Sequence, residues 1–152
     1  MSDKSGITFD AIVDEMEVDL STEVVFLGIS NEAKIPVKRL LGYKEAMEFV
    51  DDIVAQCTYI DGCVYRPEVF DFSVKMNTLV HYAGFKKSGT IESAYSVIYC
   101  TDLYEVIRVE IDDEQYMSLV SAAKEKINNN REIMNNLLIA KMNEENKGEE
   151  EK

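Results

Sequence analysis

Residues 67–83, PEVFDFSVKMNTLVHYA, predict a helix around which the rest of the chain is arranged. Pro67 suits the first helical turn, and the carboxylate of Glu68 complements the positive end of the helix dipole. Apolar side chains occupy most of the circumference, a pattern typical of a helix at the centre of a core. They are Val69, Phe70, Phe72, Val74, Met76, Leu79, Val80 and Tyr82. Such a helix needs apolar neighbours on several sides, and the flanking sequence has to supply them.

An amphipathic helix is predicted before this stretch, beginning after Gly42 and ending before Asp61 and Gly62. Apolar residues recur there every three or four positions, which is the helical period. They are Ala46, Met47, Phe49, Val50, Ile53, Val54 and Cys57. Charged residues such as Lys44 and Glu48 take the other side, so one face is predicted to be buried.

Two further helical stretches are predicted after residue 83. Thr90 or a neighbour can cap a helix that continues to Ile107, and residues 100–102 are a candidate interruption in its middle. Asp112 with Gln115 three residues later resembles a capping box, the start signal of a last helix that runs to about residue 142. Asn128–Asn130 lie in its middle, and their side chains compete with helical backbone bonds. We therefore expect a bend there or a division into two helices.

Short β-branched runs precede the helices. Residues 23–28 and 33–38 are separated by turn-forming residues 29–32, which predicts a hairpin. Because proline cannot donate a ladder bond, Pro36 is expected on an edge strand or at a position that makes no ladder bond. Upstream, residues 8–16 have one small apolar stripe that suits a short docked helix. The predicted fold class is α+β, mainly α: an N-terminal β-hairpin followed by a bundle of about four helices, the last one long.

The charge is unevenly distributed along the chain. The 152 residues have 29 acidic and 16 basic side chains, a net charge of -13. Residues 1–20 hold six acids and one base, and residues 144–152 hold five acids and two bases, so the ends contribute -5 and -3, leaving -5 for the body. We predict an acidic N-terminal segment over 1–20, a single α+β domain over 21–142 and a disordered acidic tail over 143–152.

The composition also limits where the protein can be located and what it can bind. No apolar run approaches the roughly 20 residues needed to cross a bilayer, and the N-terminus has no signal-peptide pattern, so we expect no membrane association and a cytoplasmic location. The acidic balance disfavours direct nucleic-acid binding, which uses Lys and Arg to neutralise phosphates.

No catalytic motif is present, and we expect no catalytic, cofactor or metal site. A zinc site is disfavoured because the cysteines have no CxxC spacing and His81 is the only histidine.

We interpret Cys57, Cys63 and Cys100 as reduced and mostly buried, and His81 as a structural residue of an apolar helix. The carboxylates 51–52 and 112–114 are better explained as a solvated helix face and a helix cap than as cation ligands.

Two surfaces are candidates for binding a protein. Tyr95, Tyr99 and Tyr104 fit either an interface or the edge of a core, and the pattern does not decide between them. The end of the last helix is too apolar for a solvated extension. It is predicted to pack on the domain, on a second copy as a homo-oligomer, or on another protein as a helix in a groove. The predicted partner-binding residues are Ile133, Met134, Leu137, Leu138 and Met142.

A family resemblance lies in three segments. They are 35–54 (IPVKRLLGYKEAMEFVDDIV), 65–85 (YRPEVFDFSVKMNTLVHYAGF) and 111–127 (IDDEQYMSLVSAAKEKI). Over roughly residues 23–130 the chain resembles small acidic proteins of tailed bacteriophages, in which a short hairpin precedes a helical body. Tail-assembly chaperones and other morphogenesis factors are similar in make-up. The resemblance implies no active site and no cofactor.

The expected function is that of a non-enzymatic phage protein that binds another phage protein, such as the tape-measure protein, during tail or head assembly. Its location would be the cytoplasm of the infected bacterial host. One alternative is a structural subunit of the virion, in which case the protein would be found in the virion as well. The other alternative is an acidic anti-defence inhibitor that mimics nucleic acid. That role requires a continuous acidic stripe on the folded surface, including Glu48, Asp51 and Asp52.

Overall fold

The computed structural model describes residues 21–26, 33–58, 66–87 and 89–150, together with Phe9. In chain order the elements are β1 (Ser21–Phe26), β2 (Ala33–Lys38), α1 (Tyr43–Cys57), α2 (Pro67–Ala83), α3 (Ile91–Cys100), α4 (Leu103–Arg108) and α5 (Asp113–Glu150). The protein is mainly helical, as predicted. The acidic N-terminal segment and the short helix predicted over 8–16 lie, apart from Phe9, outside the described residues, and so does Cys63.

The two strands pair antiparallel, with Val24 opposite Ile35 and Glu23 opposite Pro36. In the described part of the chain they form a two-stranded sheet. Each strand of such a sheet has one unpaired edge, and a proline is tolerated there because its missing N–H leaves no ladder bond unmade.

The core lies where α1, α2 and α5 meet. Phe49 and Ile53 of α1 and Tyr82 of α2 are fully buried. The Phe49 ring contacts the rings of Tyr82 and Tyr116 edge-on or tilted, at centroid distances of 5.6 and 6.2 Å. These are the preferred geometries of aromatic pairs. The central position predicted for α2 is consistent with this arrangement, since α2 also contacts β2, α3 and α4.

α2 differs from the prediction in one respect, because its buried side contains polar residues. Ser73, Asn77 and Thr78 are fully buried. Thr78 Oγ1 donates to the carbonyl of Val74, and Asn77 Nδ2 donates to the carbonyl of Ser73. Such bonds to the preceding helical turn remove most of the cost of burying small polar groups.

The interruption predicted near Cys100 is confirmed, since α3 ends at Cys100 and α4 begins at Leu103. Thr101 Oγ1 donates to the carbonyl of Val97 and accepts from the backbone N–H of Leu103, so one side chain ends α3 and starts α4. The predicted cap of α3 is also present, with Thr90 Oγ1 accepting from the N–H of Ser93 at 3.1 Å.

The last helix is longer and more continuous than predicted. Of the two alternatives expected at Asn128–Asn130, a bend or a division into two helices, the division is wrong, because α5 is a single helix from Asp113 to Glu150. Asparagine in a helix costs only about 0.7 kcal/mol relative to alanine, and the fully buried Ile127 anchors the adjacent turn. Residues 143–150, where the sequence predicts a disordered tail, are helical as well. Glu and Lys are strong helix formers, and extending a helix requires no new nucleation.

Candidate protein-binding face of the last helix

The first half of α5 is fixed to the domain by a buried stripe. Its residues recur every three or four positions, as one face of a helix requires. They are Tyr116, Leu119, Ala123 and Ile127. Lys126 adds an ion pair to Asp51 of α1, at 2.6 Å. This half of the helix is therefore held rigidly against α1.

The start of α5 is held by the predicted cap and by a second contact. Asp112 Oδ2 accepts from the N–H of Gln115 at 2.9 Å, as the capping-box signal indicates. The Gln115 side chain binds elsewhere: its Nε2 donates to the carbonyl of Leu41 and its Oε1 accepts from the N–H of Leu41. Gln115 thus ties α5 to the segment between β2 and α1.

The second half of α5 carries exposed apolar side chains. We define the distal apolar face as Ile133, Met134, Leu137, Leu138 and Met142. The exposed fractions are 57% for Ile133, 59% for Leu137, 49% for Leu138 and 62% for Met142, whereas Met134 is half-buried. These are the five residues predicted to bind a partner. Ile139 is 57% exposed as well, but at 3.6 residues per turn it lies beside Glu132 and Asn143, on the other side of the helix.

The distal apolar face continues the buried stripe of the same helix. Met134 and Leu137 follow Tyr116 and Leu119 by 18 residues, which is five turns at 3.6 residues per turn. Met134 and Leu137 therefore point in the same direction as the side chains that face α1 in the first half. The far side of the second half is mostly polar, with the exposed residues Glu132, Asn136 and Asn143. This half is amphipathic and lacks a covering element among the described residues.

Of the three tyrosines considered for an interface, Tyr95 and Tyr99 contact each other, and Tyr104 contacts Tyr116. Tyr95 and Tyr99 are 54% and 40% exposed, and their ring centroids lie 4.6 Å apart. Tyr99 Oη donates to Asp71 at 2.6 Å, and the ammonium group of Lys75 lies 4.9 Å from the Tyr99 ring. Tyr104 shares a hydrogen bond with Tyr116, at 2.9 Å between the hydroxyl oxygens. Tyr95 and Tyr99 thus form an exposed edge, whereas Tyr104 is half-buried.

His81 is a satisfied structural residue, as predicted. It is buried, its Nε2 donates to Asp52 Oδ2 at 2.8 Å, and its ring meets Phe49 edge-on at 5.9 Å. Lys87 also donates to Asp52 Oδ2, at 2.7 Å. Burial would raise the pKa of Asp52, but the hydrogen bonds from Lys87 and His81 outweigh burial and lower it. The arrangement joins α1, α2 and the loop after α2.

The cysteines do not share one environment. Cys57 is buried, and burial raises the pKa of its thiol, which keeps it protonated and unreactive. Cys100 is exposed. The expectation of mostly buried thiols is therefore wrong for Cys100, because it lies at the end of a helix whose outward side is largely exposed.

The carboxylates of the described residues do not gather into a cation site. Within the described residues, no group of three or more His, Cys, Asp or Glu side chains could hold a metal ion. Asp113 forms an ion pair with Arg108, and Glu48 Oε1 lies 4.0 Å from Lys44 Nζ.

No helix in the described ranges combines the length and apolar character that crossing a membrane requires. Comparisons of the chain with protein-family models, curated proteins and solved structures give no match.

Proposed function

We propose that the chain is a non-enzymatic phage protein that binds another phage protein during virion assembly, in the manner of a chaperone, through the distal apolar face of α5. The observation that carries this proposal is the exposure of large apolar side chains along one side of a helix whose first half is fixed to the domain. The phage setting and the tape-measure protein as partner follow from the resemblance of residues 23–130 to tailed-phage proteins.

The distal apolar face suits reversible binding. Burying a fully exposed large apolar side chain contributes about 1.5–3 kcal/mol; because the five side chains of the face are only about half exposed, they contribute roughly 4–8 kcal/mol together. Association costs roughly 4–15 kcal/mol in lost freedom of motion. The surplus is small, which favours a partner that is shielded for a time and then released. The exposed acidic residues Glu144, Glu145 and Glu149 at the end of α5 would keep the complex soluble.

The nucleic-acid mimic is less well supported. Its acidic stripe would include Asp51 and Asp52, but Asp51 pairs with Lys126 and Asp52 with Lys87 and His81. Carboxylates paired within the domain offer a weaker negative field to a basic channel.

The proposal extends to the arrangement of the domain, a hairpin followed by a helical bundle with a long last helix. The hairpin is supported by the antiparallel register of β1 and β2 and by the six residues, 27–32, between them.

Co-expression with the phage tape-measure protein tests the function. The wild-type chain is expected to raise the soluble fraction of that protein and to co-purify with it. Leu137→Asp places a charge in the middle of the distal apolar face and should abolish both effects, whereas Asn136→Asp places the same charge on the polar side and should leave both intact. Circular dichroism checks that both variants remain helical.

Unchanged solubility of the tape-measure protein with no co-purification would refute the proposal. Equal activity of Leu137→Asp and the wild type would refute the assignment of the face.

A further inference from the structure

A cavity of about 520 Å³ lies between α2 and α3, away from the distal apolar face. We call it the α2–α3 cavity. Its wall includes Phe72, Met76 and Leu79 of α2 and Ala94, Val97 and Ile98 of α3. Small-molecule sites in proteins are mostly apolar clefts of ~300–1,000 Å³ with a few polar groups that fix orientation. The volume and the lining match that description.

One buried polar group in the wall has unused bonding capacity. Asn77 is fully buried and lines the α2–α3 cavity. Its Nδ2 donates to Gln56 Oε1 and to the carbonyl of Ser73, at 2.9 and 2.8 Å. Both partners are acceptors, so the amide orientation is determined and Oδ1 must face away from them. Oδ1 has no hydrogen-bond partner among the described residues. A buried unpaired acceptor costs about 1–3 kcal/mol, and a donor from a ligand would remove that cost.

The mouth of the cavity has a positive charge available. Gly84 adopts the left-handed conformation with φ 72°, and the N–H of Phe85 donates to the carbonyl of Leu79. This turn places Lys86 and Lys87 at the edge of the cavity. Lys87 is paired with Asp52, whereas Lys86 forms no ion pair within the described ranges. Lys86 is thus the cation that can meet an anionic group of a bound molecule.

We propose that the α2–α3 cavity binds a small amphipathic anion. Its aromatic or aliphatic body occupies the space between α2 and α3, an N–H or O–H group donates to Asn77 Oδ1, and its acidic group lies against Lys86. This site is independent of the distal apolar face and of any partner bound there.

Fluorescence titration with 1-anilinonaphthalene-8-sulfonate tests the site, because this probe combines an apolar body, an N–H donor and a sulfonate. Saturable binding to one site is expected. Ala94→Trp fills the cavity from α3 and should abolish binding, whereas Ala122→Trp, at an exposed position of α5, should leave it unchanged. Far-ultraviolet circular dichroism and thermal unfolding verify that both variants fold.

Two more variants test the polar contacts. Lys86→Glu should weaken binding of the sulfonate probe by about threefold or more, as expected for an exposed ion pair. It should leave the neutral analogue N-phenyl-1-naphthylamine unaffected. Asn77→Leu keeps the approximate shape and removes the acceptor together with the Nδ2 bonds to Gln56 and Ser73, so thermal unfolding checks that it folds. It should weaken both probes about two- to tenfold.

Absence of saturable binding to the wild type would overturn the proposal, as would wild-type affinity in Ala94→Trp, since the probe would then lie elsewhere. Equal effects of Lys86→Glu on the charged and neutral probes would overturn the role of Lys86. Unchanged affinity in Asn77→Leu would overturn the role of the amide.

Discussion

Replacing Gln115 with methionine should destabilise the domain, although Gln115 is a polar residue near a helix end. Its side chain makes two hydrogen bonds with the backbone of Leu41, at 2.8 and 2.9 Å, and accepts a third from Tyr82 Oη at 3.3 Å. Leu41 is buried. Methionine has a similar length but offers no donor and only a weak acceptor, so Gln115→Met would leave the N–H and the carbonyl of Leu41 without partners.

The magnitude follows from these bonds. Each hydrogen bond contributes about 0.5–1.5 kcal/mol net, and an abandoned buried partner costs about 1–3 kcal/mol. Because the Gln115–Leu41 contact is only partly buried and water can replace some of it, we expect a loss of about 2–3 kcal/mol. Domains are stable by only about 5–15 kcal/mol, so the loss is a large fraction of the total.

Urea unfolding measured by circular dichroism gives the free energy of unfolding. With a slope of about 1–3 kcal/mol per molar urea, the midpoint of Gln115→Met should fall by about 1–2 M. Ser118→Met is the control, because Ser118 is exposed on the next turn of α5 and its replacement should change stability by less than about 0.5 kcal/mol. A loss below about 0.5 kcal/mol for Gln115→Met would refute the idea that this side chain holds α5 to the Leu41 segment.

Three more predictions concern ionisation, the buried hydroxyl network and the end of α5. The bonds from Lys87 and His81 lower the pKa of Asp52 from 3.8. The contribution of Asp52 to the free energy of unfolding is therefore present above pH 3.8 and is lost as the pH falls through its lowered pKa. Urea unfolding of Asp52→Asn should lack this pH dependence. Tyr116→Phe removes the hydroxyl that links α2, α4 and α5 and should cost about 1–2 kcal/mol by thermal unfolding; an unchanged midpoint would contradict the network. A chain ending at Asn130 should keep the wild-type unfolding temperature within about 2 °C, since none of the residues described beyond it is fully buried, and a larger fall would show that the second half of α5 packs on the domain.

The helices of the body could be predicted because their signals are local. The apolar period from Gly42 to Cys57 gives α1, and Pro67 with the αL residue Gly84 brackets α2. The break after Cys100 was also predictable, because Thr101 forms its bonds within the same few residues. In each case the side chains that define the element are neighbours in sequence, so no distant contact is needed to recognise them.

The continuity of α5 and the exposure of the distal apolar face were harder to predict from the sequence. Asn128–Asn130 disfavour a helix by their own preferences, and only the burial of Ile127 and the helix already formed before them outweigh that preference. The sequence identified Ile133, Leu137 and Leu138 as apolar residues needing a cover. It could not tell whether the domain itself provides one, because exposure depends on where the other helices end.

The sequence alone determined the helical class, the positions of α1 and α2, the cap at Asp112 and the residues of the distal apolar face, since each depends on periodicity or on bonds within one turn. Tertiary structure alone decided that Gln115 binds Leu41, that Asp52 meets both His81 and Lys87, and that Asn77 lies in the wall of a cavity. These contacts join residues 21 to 74 positions apart. No local pattern encodes such contacts, because they form only when separate helices are brought together by the burial of their apolar faces.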